Sequence, residues 1–326
     1  MPEQAIKDAL VKVDDLTIRF RINRHGRRSY IEPVSHVSFC IAPSEVLALV
    51  GESGSGKTTI GRALLKIVEP AEGRLYFDGR EITHLTPHAI RQLHADVQLI
   101  FQDPFGALNP TATIQDHLVL PLTVYRHVGR HDMDERVRRL LEQVGLVPAE
   151  EIRFKYPHEL SGGQRQRVVI ARALAVEPRF IVADEPVSML DVSIRAEILK
   201  ILNDLKGRLG ISLLYITHDL ASARYLSDRI MVLYGGKVME VGEANDITLN
   251  PRHPYTQLLL AAVPGPTEAT TLPQVSEATP DLHVGRKGCP FAPRCPYAME
   301  ACHAQTPSLL TIEGEHWAAC HLVHSP

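Results

Sequence analysis

The order of apolar and polar positions divides this chain into short strands and amphipathic helices. Val46-Leu47-Ala48-Leu49-Val50 is an uninterrupted apolar run closed by Gly51. Such a run predicts a strand buried on both faces, as in a parallel sheet. Residues 97–101, 180–183 and 213–217 read the same way. Residues 11–20 and 37–41 alternate or run apolar and predict a small β region near the N-terminus. Helices are expected over 58–68, stopped near Pro70, over 165–175, ending before Pro178, and over 194–209. Met133, Val137, Leu140, Leu141 and Val144 recur at helical spacing with charges between them, which predicts a helical insert at about 103–165. Arg229–Tyr234 and 237–241 flank Gly235-Gly236, the signature of a hairpin with a two-residue turn. Strands alternating with helices indicate an α/β core with a mostly parallel sheet.

Periodicity fades after about residue 250. Residues 264–288 are rich in Pro, Thr, Glu and Gly and read as linker. The expected organisation is therefore a core over 1–250, a linker over 251–288 and a small cysteine-rich extension over 289–326. No internal repeat is present.

Composition narrows the function classes. A length of 326 residues calls for a large domain plus an appendage. Thirty-five Lys and Arg against 38 Asp and Glu argue against a globally basic nucleic-acid surface. No apolar stretch approaches the roughly 18 residues of a membrane span. The first 16 residues carry no apolar core of a secretory signal. Any work at a membrane would thus be peripheral. Five cysteines are expected to be reduced thiols, as in cytosolic proteins. Cys40 lies in a strand-like run and reads as a small core residue.

The candidate chemistry sits at the ends of the buried strands. Gly51-Glu52-Ser53-Gly54-Ser55-Gly56-Lys57-Thr58 fits the phosphate-loop pattern and is followed by Thr59 in the next helix. Its glycines let backbone N–H groups approach phosphate, and the helix directs its positive end at the anion. Lys57 should reach the β- and γ-phosphates of a nucleotide, and the Thr58 hydroxyl should bind Mg²⁺. Asp184 ends a buried strand and is placed to hold Mg²⁺; Glu185 can act as general base on the attacking water. His218 follows another strand and can donate to the γ-phosphate. Gln102, just past the strand at 97–101, can contact Mg²⁺ or water.

These residues resemble the ATP-binding subunits of ABC transporters over roughly 10–250. The resemblance rests on 51–58, Gln102, Leu160-Ser161-Gly162-Gly163-Gln164, 181–185, 188–191 and His218. It implies a nucleotide-sandwich dimer in which Ser161 and Gly163, with Gly162 and Gln164, meet the nucleotide of the opposite subunit. Asp191 would line the dimer seam. Met189 stands where the family has a small residue. The family stacks an aromatic ring on adenine; Phe20 is the first candidate and Tyr30 the alternative. A narrower resemblance, to the F-type subunits of oligopeptide/dipeptide importers, rests on 101–110, 191–196 and Asn250-Pro251-Arg252-His253-Pro254-Tyr255-Thr256. It implies peptide uptake, or nickel, glutathione or sugar uptake as in relatives. It also implies two transmembrane permease subunits, a second ATPase (homologous or identical) and an extracytoplasmic binding protein. The expected place is the cytoplasmic face of the plasma membrane. A non-transport ATPase of this fold, acting on ribosomes or DNA, is the competing reading; no nucleic-acid partner is expected.

Cys289, Cys295, Cys302 and Cys320 are separated by five, six and seventeen residues. Four thiolates suit zinc or an iron–sulfur cluster, although no C-x-x-C pair is present. Tails of this pattern in the importer group resemble those that hold a 4Fe–4S cluster. Zinc and metal-free thiols remain the alternatives. His303, His316 and His321 read as packing or surface residues.

Overall fold

The computed structural model of the chain describes residues 9–24, 27–126, 129–262 and 280–323. Its strands are β1 (Val11–Arg24), β2 (Arg27–Ile41), β3 (Val46–Val50), β4 (Glu72–Phe77), β5 (Arg80–Glu81), β6 (Val97–Ile100), β7 (Phe180–Asp184), β8 (Ser212–Thr217), β9 (Arg229–Tyr234), β10 (Lys237–Glu243), β11 (Leu310–Glu313) and β12 (His316–Ala318). The chain divides into two compact units, Met1–His84 with Tyr215–Pro326, and Leu85–Leu214.

The first unit holds an antiparallel sheet in the order β2-β1-β4-β5. β1 and β2 outrun the apolar alternation, because ladder pairing continues through Phe20↔Ile31, Arg21↔Tyr30 and Ile22↔Ser29. A second sheet pairs β3 with β9 in parallel, then β9 with β10 antiparallel. β3 is buried at every position, as its continuous apolar run requires. Gly235 and Gly236 have φ of 52° and 80°, the left-handed pair that a twisted two-residue hairpin demands.

The second unit pairs β6 with β7 in parallel. The helices Pro104–Ala107, Ile114–Arg126, Arg130–Gln143, Ala149–Ile152 and Gly162–Leu174 fill the expected insert. Leu118, Leu122, Val137, Leu141, Val144 and Val168 are buried there. Each such side chain contributes about 1.5–3 kcal/mol over its exposed state. β8 is buried at every position.

The expected linker over 251–288 needs correction. Pro254–Ala261 is a helix, with Pro254 at its start and His253 as N-cap. The His253 Nδ1 accepts from the Tyr255 N–H at 3.0 Å. The helix is only eight residues long, too short for a helical period to mark it in the sequence. Farther on, Glu32 N–H donates to Leu282 C=O at 2.7 Å and Ile31 bridges His283, so this segment lies along β2. Residues 263–279 lie outside the described residues.

The tail is built into the first unit, where it extends a sheet. β12 pairs with β10, and β11 with β12. Glu240, fully buried on β10, supplies the anchor: it accepts from Arg252 N–H at 2.7 Å and His253 N–H at 3.1 Å. His316 Nε2 stands 2.7 Å from Glu240 Oε1, the oxygen that also accepts from Arg252. A buried carboxylate needs such partners to be tolerated.

Burial drives the His253 pKa down from 6.5 to about 4, and its Nδ1 acceptor role needs the neutral ring. Below pH 6.5 the unfolded chain takes up a proton that the folded chain refuses until about pH 4. Stability from this group is therefore present above 6.5 and lost as pH falls through that window. The melting temperature should drop on acidification, and His253→Asn, which can cap without titrating, should drop less. Equal pH slopes for parent and variant would contradict this assignment.

Candidate functional site

The phosphate loop starts where β3 ends and leads into the helix Lys57–Leu64. Two glycines are there because the backbone passes too close to its neighbours. A Cβ on Gly51 would lie 2.2 Å from Leu233 O. On Gly56, with φ 104°, it would lie 2.2 Å from Pro33 O. The helix N-cap Gly56 provides no side-chain acceptor, and a helix N-terminus favours an anion. Ser53 and Gly54 are exposed, Ser55 and Lys57 are buried, and Thr58 and Thr59 are half-buried. Lys57 Nζ donates to Gly51 C=O at 2.7 Å, Glu52 C=O at 2.9 Å and Ser55 Oγ at 3.3 Å. The ammonium is thus held inside the loop's curve by the loop itself.

The loop is pinned from outside at three points. Gly236 N–H donates to Ser55 C=O at 3.1 Å. Glu52 N–H donates to the hydroxyl of the fully buried Tyr255 at 2.9 Å. The Glu52 carboxylate receives two bonds from Arg294, at 2.7 and 2.9 Å. Sequence reading missed all three partners. The His253-Pro254-Tyr255 motif was visible; nothing in the sequence tied Arg294 to a loop 242 positions away. His218 belongs to this unit too, exposed just past β8. Phe20 is 39% and Tyr30 50% exposed, so both adenine-stacking candidates present open ring surface.

In the second unit Gln102 Nε2 donates to Glu185 Oε2 at 3.0 Å, joining two sequence-predicted residues 83 positions apart. Glu185 has φ 45°, a left-handed backbone that costs a non-glycine residue energy and recurs at functional sites. Its carbonyl accepts from Ser188 N–H at 3.2 Å and Ser188 Oγ at 3.0 Å, which holds the turn. Asp184, at the end of β7, is half-buried.

Ser161 and Gln164 form a reciprocal cap on the helix Gly162–Leu174. Ser161 Oγ accepts from Gln164 N–H at 3.3 Å, and Gln164 Oε1 accepts from Ser161 N–H at 3.0 Å. A Cβ on Gly163 would lie 2.6 Å from Ile194 Cγ2, so that glycine allows close packing on the helix Val192–Leu209. Asp191 is the exposed N-cap residue of that helix. Two arginines tie the capped helix to the segment after Gln102. Arg165 lies 4.1 Å over the Phe105 ring, and Arg172 Nη1 donates to Ala107 C=O at 2.6 Å.

The four tail cysteines are free thiols. Cys289 N–H donates to Cys302 C=O at 2.7 Å. Burial pushes the Cys289 thiol up to about 11 and raises Cys295 and Cys320. Among the described residues, however, no group of three His, Cys, Asp or Glu side chains stands where it could hold a metal ion. His316 belongs to Glu240, and His321 Nε2 lies 3.0 Å from Gln305 O. Cys40 is buried in the core, as expected.

Comparison with known proteins gives two family matches, "ABC transporter" over 34–188 and "Oligopeptide/dipeptide transporter, C-terminal region" over 239–302. AppF of Bacillus subtilis, an oligopeptide transport ATP-binding protein, is 39% identical over 297 residues, 90% of each chain. GsiA of Escherichia coli, a glutathione import ATP-binding protein, is 46% identical over 84% of this chain and 44% of its own length. Among solved structures, the ATP-binding cassette MJ0796, dimeric with ADP and Pi, has a TM-score of 0.64 at 28% identity. It matches over 72% of this chain and 98% of that one. CbiO1 of Clostridium perfringens, part of an ABC transporter complex, also scores 0.64 at 28% identity, over 74% and 92%.

Proposed function

The chain belongs to the ABC transporter family, and from that membership we propose that it is the ATP-hydrolysing subunit of a peptide importer. One observation carries the reading: a single chain matches both the ABC transporter family and the C-terminal region of oligopeptide/dipeptide transporters. The name of AppF supports peptide cargo; that of GsiA supports glutathione, itself a small peptide. Among the described residues no helix is long and apolar enough to cross a membrane. Two transmembrane permease subunits would supply the pathway. A second copy or a homologous ATPase would complete the dimer, and an extracytoplasmic binding protein would deliver solute. The subunit would sit peripherally on the cytoplasmic face.

ATP is the substrate. The Thr58 hydroxyl, the Asp184 carboxylate and the Gln102 amide oxygen are hard oxygen donors, the set that Mg²⁺ takes. The ion, when bound, neutralises charge developing on the phosphates. Phe20 stacks on adenine. Gly51, Ser53, Gly54, Ser55, Gly56 and Thr59 offer loop N–H groups and hydroxyls, and Lys57 offers charge to the outer phosphates. Glu185 accepts the proton of the attacking water, Gln102 holds that carboxylate, and His218 orients the phosphate. Ser161, Gly162 and Gly163 meet the nucleotide of the opposing subunit, Gln164 keeps Ser161 in its cap, and Asp191 lines the seam. Arg165 and Arg172 join the Gln102 segment to the capped helix.

The tail is the finer part of the proposal: Cys289, Cys295, Cys302 and Cys320 hold a 4Fe–4S cluster, with Zn²⁺ as the alternative. Four cysteine donors in one tail support it; the thiols must close up from their present separations. Mild detergent extraction, followed by mass spectrometry and metal analysis, tests both parts. Two multi-span subunits, an ATPase partner, iron and sulfide are expected. Recovery of ribosomes or nucleic acid without a membrane partner overturns the importer, and a preparation without iron overturns the cluster.

A further inference from the structure

The residue that follows Gly51 in the phosphate loop is an acid, which is unfavourable in a loop that must receive a triphosphate. A carboxylate near that anion raises its free energy unless a cation offsets it. The structure provides the cation from the far end of the chain. Arg294 closes a fork on Glu52, Nη1 to Oε2 at 2.7 Å and Nη2 to Oε1 at 2.9 Å. Parallel two-point pairing fixes direction as well as charge.

Arg294 is held where it stands. Its guanidinium lies 5.6 Å from the Tyr234 ring centre and 5.9 Å from that of Phe291, and Nη1 donates to Tyr234 Oη at 3.3 Å. Tyr234, Tyr255 and Phe291 pack on one another with centroids 4.7–5.3 Å apart. The cluster therefore joins the end of β9, the helix Pro254–Ala261 and the tail. Glu52 meets it at both ends, its N–H on Tyr255 and its carboxylate on Arg294. Its carbonyl accepts from Lys57. One residue thus separates the tail cation from the lysine expected to bind the outer phosphates.

The turn that carries Arg294 is set by the cysteine segment. Ala292 N–H donates to Cys289 C=O at 3.1 Å, and Cys295 N–H donates to Ala292 C=O at 3.2 Å. A shift of this segment moves the guanidinium, and with it the Glu52 carboxylate.

We propose that Arg294 is a positioning residue for the phosphate loop, neutralising and fixing Glu52, so that the tail sets the loop's affinity for ATP. The inference rests on the reading of 51–58 as the ATP site. By linkage the coupling is reciprocal: bound ATP steadies the turn around Arg294.

The test is ATP binding by the full-length chain and ATP hydrolysis by the assembled complex. Arg294→Ala should raise both Kd and KM for ATP about tenfold with kcat within about twofold, and Arg294→Lys should fall between. The same substitution is then made on a Glu52→Gln background, where no carboxylate needs neutralising. There Arg294→Ala should cost less than about twofold relative to Glu52→Gln alone. Hydrogen exchange over 289–295 should slow on adding ATP to the parent and not to Arg294→Ala. Equal losses in both backgrounds would reduce Arg294 to a structural tail residue. No loss in either, or a loss confined to kcat, would also overturn the proposal. Lys57→Ala serves as the separate control: parental ATP binding by that variant removes the ATP-site reading itself.

Discussion

Glu185→Gln should lower ATP turnover by roughly a hundredfold or more while ATP still binds. The substitution keeps size and hydrogen-bonding reach but removes the only group argued to take the water's proton. Gln102 Nε2, 3.0 Å from the carboxylate, can still donate to the amide oxygen, so the local geometry should survive. The left-handed backbone at φ 45° is a property of the turn and is equally open to glutamine. Binding energy that normally ends in hydrolysis would then be held in the closed dimer. Gel filtration with ATP and Mg²⁺ should show a dimer for the variant where the parent returns to its resting state. Hydrolysis at the parent rate would dismiss Glu185 as the base. Loss of ATP binding together with turnover would mean that the substitution had damaged the fold of this turn.

Lys57→Ala should weaken ATP binding by roughly a hundredfold, the range expected when a charged hydrogen-bond donor is lost. The residue is only 5% exposed, and its ammonium already bonds to two loop carbonyls and Ser55 Oγ. Alanine would leave those acceptors without their donor, so the loop would lose both its cation and its internal brace. A melting temperature lower by a few degrees should accompany the affinity loss. Lys57→Arg separates the two effects: charge is kept, while a planar fork cannot fit the curve that a compact ammonium fills. If titration calorimetry gave parental affinity for Lys57→Ala, phosphate recognition by this loop would have to be reassigned.

The motifs from which the chemistry is proposed are legible because their parts are local. A buried strand, a glycine turn, a lysine and a helix start are contiguous at 46–59. The same holds for Phe180–Asp184 followed by Glu185, and for the Ser161–Gln164 cap. In each case the backbone conformation that chemistry needs is dictated by residues within one turn of one another. The hairpin at Gly235-Gly236 was legible for the same reason, since its φ values suit glycine and little else.

Other features carried no periodic signal. The helix Pro254–Ala261, eight residues long, is too short to show a period. The segment around Leu282 gains order from β2, a strand some 250 positions earlier. The tail's hold on β10 depends on Glu240, which in sequence looks like any surface acid but is fully buried under Arg252, His253 and His316.

The sequence by itself determined the α/β class, the motifs from which the ATP site is proposed and the kinship with ABC transporters, because each depends on neighbours in the chain. Only the tertiary structure decided which distant groups hold that site in shape. It set Gln102 on Glu185, Gly236 on Ser55, and Tyr255 and Arg294 on Glu52. Those contacts bring together residues far apart along the chain. Their formation depends on strand order and side-chain packing, which local propensity does not encode.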